Sequence, residues 1–179
     1  YLPLHFTPEA TVDYWCDNPQ DALYERSIID LIEKSDKNIN FIIKEHPAMF
    51  MKRHLEFYNN ILKFNNATLL DPYESSNELI HKVKNVYVYT GSVGVEALIR
   101  GKNVISRTNN YYSGLTESVK IVNSLSLTDL QMSLSSFESR IFIKDLLREL
   151  IPTSFVNNKK MLENDIKMLS VFIKKTYIM

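Results

Sequence analysis

The stretch Y89-T90-G91-S92-V93-G94-V95-E96-A97-L98-I99-R100-G101-K102-N103-V104-I105 holds three of the chain's 4 glycines, and its reading decides the fold. Gly91 and Gly94 bracket a serine directly after the apolar run 86–89, and Gly101 closes a segment with helical spacing. That order predicts strand, tight turn, helix, helix stop and next strand. A strand that runs through a glycine turn into a helix N-terminus leaves backbone N–H groups free for an anion, so it is a frequent phosphate seat. Packing alone also selects such glycines, and the rest of the chain has to decide.

Working outward, apolar residues at Leu23, Ile28, Leu31 and Ile32 predict a helix over 21–34. Phe41-Ile42-Ile43 reads as a short buried strand ending at K44-E45-H46-P47. An amphipathic helix is expected over 51–64 and a strand over 67–70, stopped by Asp71-Pro72. Ser75 with Glu78 three residues on predicts a reciprocal capping box opening a helix to 83. A strand over 86–89, a helix over 93–100 and a strand over 103–106 follow. Alternation of this kind implies right-handed crossovers and a Rossmann-like parallel sheet of about five strands with helices on both faces. Ligands gather beyond the strand C-termini of such sheets, which places His46, Asp71 and Thr90-Gly91-Ser92 near one edge. After Tyr112 the β signal fades, and 125–137, 141–150 and 159–177 read as helices. The expected division is a nucleotide-sugar-binding domain over 1–120 and C-terminal helices over 121–179.

At 179 residues and 45% hydrophobic, the chain can bury one sizeable core. Lys+Arg and Asp+Glu are both 21, so there is no global basic field of the kind a general nucleic-acid binder carries. The lysines of 159–177 are diluted by Glu163, Asp165 and an apolar face, and no nucleic-acid binding is expected there. No apolar run reaches the roughly 18 residues of a membrane span. The start at Tyr1, without a leader pattern, is read as a piece of a longer polypeptide. A single cysteine, Cys16, rules out an internal disulfide and suits a reducing compartment.

His46 follows a strand and is held by Pro47, where its ring can donate to a phosphate oxygen or a leaving group. An isolated His-Pro is more often a proline-capped turn. Thr90, Gly91, Ser92, Val93 and Gly94 offer amides, two hydroxyls and the positive end of a helix. The glycines there adopt positive φ or let a ligand approach the backbone. Glu96, in the first helical turn, suits the dipole and can accept from a ribose diol. Gly101 reads as a helix C-cap. His5 and Glu9 can meet a substrate or close a turn, and Tyr112, beside Tyr111, can stack on a base or pack in the core. His54 and His81 read as structural or solvated. Four histidines and one cysteine give no HExxH or CxxC, so no metal is expected.

Taken together, L4-H5-F6-T7-P8-E9-A10-T11, K44-E45-H46-P47, T90-G91-S92-V93-G94-V95-E96-A97 and G101-K102-N103-V104-I105 resemble the capsule polysaccharide biosynthesis family, over roughly positions 1–115. That family includes bacterial Kdo transferases. The His-Pro pair is also similar to that of bacterial sialyltransferases and teichoic-acid polyol-phosphate transferases. The resemblance implies the C-terminal, donor-binding half of a two-domain GT-B glycosyltransferase. It implies a CMP-activated donor, Kdo or a related acid sugar, and a glycan or glycolipid acceptor on the bacterial surface. His46 would contact the donor phosphate and act in catalysis, with Pro47 beside it. Thr90 to Gly94 would cradle the phosphate, and Glu96 would hold the ribose. His5, Glu9, Lys44 and Tyr112 are further candidate substrate contacts. Position 103 is Asn where the family commonly has Pro.

On this reading no cofactor is used, and the N-terminal half of the same enzyme supplies acceptor contacts and a catalytic acid or base. The fragment alone is then expected to bind nucleotide better than it turns over, in the cytoplasm or at the inner face of the membrane, peripherally associated. The rival readings are a CDP-polyol phosphotransferase, an epimerase-like enzyme of the same architecture, or a non-catalytic nucleotide- or partner-binding domain.

Overall fold

The computed structural model describes residues 1–8, 19–110, 112–113 and 119–131, all within one compact unit, Tyr1–Ser139. Six strands are present among them: β1 Leu2–Pro3, β2 Phe41–Lys44, β3 Ala67–Leu70, β4 Asn85–Val88, β5 Asn103–Ser106 and β6 Val119–Ile121. The helices are α1 Tyr24–Lys34, α2 Leu55–Ile61, α3 Ser76–Lys82, α4 Val93–Ile99 and α5 Leu127–Leu130, with short 3₁₀ turns at Pro19–Ala22 and Pro47–Met49. The helices expected over 141–150 and 159–177, and residues 132–137 of that over 125–137, lie outside the described residues.

All strand pairs are parallel, in two three-stranded ladders ordered β1-β2-β3 and β4-β5-β6. Two backbone bonds join the ladders: the Tyr1 amine donates to Asn85 O and Tyr87 N–H donates to Tyr1 O, both at 2.8 Å. One residue straddled by two partners two positions apart is the pattern of a parallel bridge. The continuous order is therefore 3-2-1-4-5-6, a doubly wound Rossmann-like sheet whose direction of winding reverses between β1 and β4. The α/β class expected from the alternation holds, with six strands rather than about five. β1 escaped detection because it has only two residues and contains a proline. β6 escaped because its residues alternate Val-Lys-Ile at a half-exposed edge instead of forming an apolar run.

Burial explains the sequence of the central strands. Val86, Val88, Val104, Ile105 and Ile43 are fully buried, as strands covered on both faces require. One apolar cluster unites β1, β2 and α1 through Leu2, Leu4, Ile28, Leu31, Ile32 and Ile43, and extends to Tyr87, Tyr89 and Ile105. Each such side chain contributes on the order of 1.5–3 kcal/mol by burial. α1 turns its Tyr24, Ile28, Leu31 and Ile32 stripe to this cluster.

Two helix boundaries differ from expectation. The helix expected over 51–64 is confined to Leu55–Ile61, because Met51 sits at φ 62 and breaks the turn before it. At α3 only the forward half of the capping box forms, Glu78 N–H donating to Ser75 Oγ at 3.4 Å. The full reciprocal box occurs instead at Ser126 and Asp129, opening α5. Gly101 behaves as expected: at φ +67 it ends α4 in a Schellman motif, with Lys102 N–H bonded to Ala97 O and Gly101 N–H to Leu98 O.

Candidate functional site

The winding reverses between β1 and β4, and doubly wound folds place ligands in the crevice beyond the C-terminal strand ends at such a point. Three of the sequence's motifs converge there. β1 runs out into His5-Phe6-Thr7, β2 into Glu45-His46-Pro47, and β4 into Thr90-Gly91-Ser92 at the start of α4. Contact ties them together. A Cβ on Gly91 would meet His5 Cε1 at 2.9 Å, so the glycine turn packs directly on the first histidine. Phe6, next along, sets its ring edge-on to His46 with centroids 5.9 Å apart. The exit of β1 thus bridges the glycine turn and the His-Pro corner.

His46 and Pro47 are exposed. His46 caps the 3₁₀ turn Pro47–Met49, its Nδ1 accepting from Ala48 N–H at 3.2 Å. A neutral ring that accepts at Nδ1 carries its proton on Nε2, so His46 presents a donor. Ser92 is exposed, and its hydroxyl makes no capping bond to α4. Glu96 is half-buried in the first turn of the same helix. These residues, with Gly91 and Val93, form the accessible part of the candidate set.

The other candidates lie deeper. His5 is buried, edge-on to Tyr24 and Tyr89, and its pKa is pulled down to about 4 by burial, by the Arg53 charge and by His46. It is therefore a neutral ring at physiological pH, behind the glycine turn rather than in front of it. Thr90 is buried, with its Oγ1 unpartnered among the described residues. Lys44 is buried with Nζ donating to Pro72 O at 2.9 Å and Glu45 O at 3.2 Å, and burial lowers its pKa. It ties β2 to the turn after β3.

Tyr112 is completely buried, so of its two readings the structure shows core packing, and its place among the candidate substrate contacts is corrected here. Its hydroxyl donates to Gly91 O at 3.2 Å and occupies the space a Gly94 side chain would need, 2.0 Å from an ideal Cβ. Gly94 is thus glycine to admit Tyr112, and neither Gly91 nor Gly94 has positive φ; among the described glycines only Gly101 does. Glu9 lies outside the described residues.

Sequence reading missed a buried charge cluster beneath the site. Glu45 Oε2 accepts from Arg53 Nε at 2.6 Å and from the Tyr58 hydroxyl at 2.8 Å, while Oε1 accepts from His46 N–H at 2.6 Å. Arg53 also donates from Nη1 to Thr7 Oγ1 at 3.0 Å and from Nη2 to His5 O, and lies over the rings of Tyr24 and Phe57. The one signal available was position: Glu45 directly follows a buried strand, where an acidic residue requires a partner. Arg53 belongs to no motif, and only tertiary contact reveals it. Beside this cluster a cavity of about 420 Å³ has apolar walls, including Phe50, Met51, Leu55, Leu69 and Pro72.

The structure is similar to that of the KpsC β-Kdo 2,7-transferase of Thermosulfurimonas dismutans, with a TM-score of 0.54 and 19% sequence identity. The match covers 96% of this chain and 53% of that one, so this chain spans about half the length of the solved protein. No curated protein sequence matches. The family model described as "Capsule polysaccharide biosynthesis protein" matches residues 5–126, a span that contains the exits of β1, β2 and β4 described above. The chain belongs to the capsule polysaccharide biosynthesis family.

Proposed function

We propose that this chain is the donor-nucleotide-binding half of a GT-B glycosyltransferase. Its donor is a CMP-activated sugar, Kdo or a related acid sugar, and its product a bacterial surface polysaccharide. The reading rests on the parallel strand order, which sets the exits of β1, β2 and β4 at one edge of the sheet, and on the contacts of His5 with Gly91 and of Phe6 with His46. Family membership and the likeness to a Kdo transferase fold support it.

The chemistry follows from the leaving group. When the bond from the anomeric carbon to CMP breaks, negative charge collects on the phosphate. Donors already aimed at that oxygen stabilise the transition state more than the ground state. His46 Nε2–H, the free Ser92 hydroxyl and the amides of the turn into α4 supply such donors. Glu96, one turn further, accepts from the ribose hydroxyls. The acceptor hydroxyl must lose a proton to a base, and that base is assigned to the N-terminal half of the enzyme.

Titration calorimetry with CMP, CDP and UDP tests the reading. CMP is expected to bind most tightly. Equal or absent binding of all three would remove the cytidine-donor assignment and leave a family member whose crevice serves another ligand.

A further inference from the structure

The buried cluster beneath His46 joins the exits of β1 and β2. Arg53's side chain is wholly inaccessible and Glu45's nearly so, and no ligand in the crevice can touch the guanidinium. A buried ion pair adds little stability over apolar residues of the same volume, and in some proteins it serves to fix geometry instead. Here two routes lead from the cluster to His46. Glu45 Oε1 holds the His46 N–H, which sets where the ring leaves the backbone. Arg53 grips His5 O and Thr7 Oγ1, the residues on either side of Phe6, and the Phe6 ring bears on the His46 ring from the opposite strand exit. Tyr58 fills the remaining lone pair of Glu45, and the rings of Tyr24 and Phe57 box the guanidinium plane.

We infer that Arg53, through Glu45 and through the 5–7 segment, is the positioning residue for the His46 imidazole. The inference rests on the nucleotide reading of His46 for its functional consequence, but not for its structural content. One planar guanidinium spans three partners in two strand exits. A lysine keeps the charge yet, as a point donor, cannot span them together. With Arg53→Lys the corner should stay folded while His46 loses its fixed orientation and its bond from Ala48 N–H.

Two measurements decide it. In ¹⁵N-resolved imidazole spectra, wild-type His46 should show a single tautomer with the proton on Nε2, and Arg53→Lys should shift its signals towards the tautomer average. In CMP titrations, Arg53→Lys should weaken binding about tenfold, the effect of one charge-assisted hydrogen bond. The same change made in a His46→Ala background should cost nothing further, because coupled residues are not additive. An unchanged His46 tautomer in folded Arg53→Lys, or an equal loss of affinity in both backgrounds, overturns the inference. If Arg53→Lys does not fold, Glu45→Gln, which is nearly isosteric, is read by the same two measurements. If wild-type protein fails to bind CMP, the nucleotide reading falls, and the tautomer spectra alone decide the positioning role.

Discussion

His46 is exposed and Glu96 half-buried, whereas His5, Thr90, Lys44 and Tyr112 are buried. This division makes opposite predictions for the two groups. His46→Ala and Glu96→Ala are each expected to weaken CMP binding by roughly ten- to a hundredfold while leaving the melting temperature nearly unchanged. Ser92→Ala should cost less, since the turn's amides remain. Unfolding without loss of affinity in the folded fraction would return His46 to a proline-capped turn. Gly94→Ala should act on stability, because its Cβ would fall 2.0 Å from the Tyr112 hydroxyl and 2.6 Å from Cζ. A cost of about 1–3 kcal/mol in urea unfolding is expected for such overpacking. Tyr112→Phe should give little relief, since Cζ remains, and Tyr112→Leu should relieve more of the strain.

His5 makes a pH prediction at the same scale. Its folded pKa of about 4 lies below the ordinary 6.5, so the unfolded chain binds the extra proton between those values. Stability therefore rises with pH across that window: the contribution is complete above about 6.5 and is lost as pH falls towards 4. The full effect is on the order of 3 kcal/mol. Urea midpoints at pH 7 and pH 5 should differ more for wild type than for His5→Gln, and an equal difference in both would show that His5 is not the titrating group.

Among the elements, α4 carries the site at one end and the Schellman stop at the other. Nothing lies within 4 Å of a Cβ added to Gly101, so its replacement acts only through the left-handed backbone. Gly101→Ala is expected to cost about 1 kcal/mol, and Gly101→Asn less, because Asn tolerates that conformation. CMP affinity should be the same in both, measured on folded protein. At the start of β5, Asn103 donates its N–H to Lys84 O at 3.0 Å and its side-chain amide to Asn85 at 2.8 Å. A proline at this position, as the family commonly has, would forgo the first bond. The departure therefore gains a strand-entry bond at the N-terminal edge, away from the candidate site.

Across the whole sheet, the 3-2-1-4-5-6 order separates a C-terminal edge with the candidate residues from an N-terminal edge without them. Addition of CMP is expected to shift the amide signals of residues 46–48 and 91–96. Those of Asn40, Asn85 and Asn103, at the other end of the strands, should stay in place. Shifts at the N-terminal edge instead would relocate the ligand and remove the crevice from consideration.

Much of this was determined locally. Short apolar runs at 41–43 and 86–89, each followed by polar or glycine turns, specified buried parallel strands, and the helical spacing between the elements specified crossovers. Gly101 declared its left-handed cap because that conformation is a property of the residue and its immediate neighbours. The His-Pro corner and the glycine turn were legible for the same reason. What local pattern does not encode is which distant atoms meet. The two-residue β1 became a central strand only because Tyr1 bonds across to β4, and β6 only because Val119–Ile121 pairs with β5. Tyr112 passed from candidate ligand contact to core because Gly94 leaves room for its hydroxyl. Arg53 became the hub of the site because its guanidinium reaches 46 and 48 positions back to Thr7 and His5, a closure that depends on the packed sheet and leaves no trace in sequence spacing.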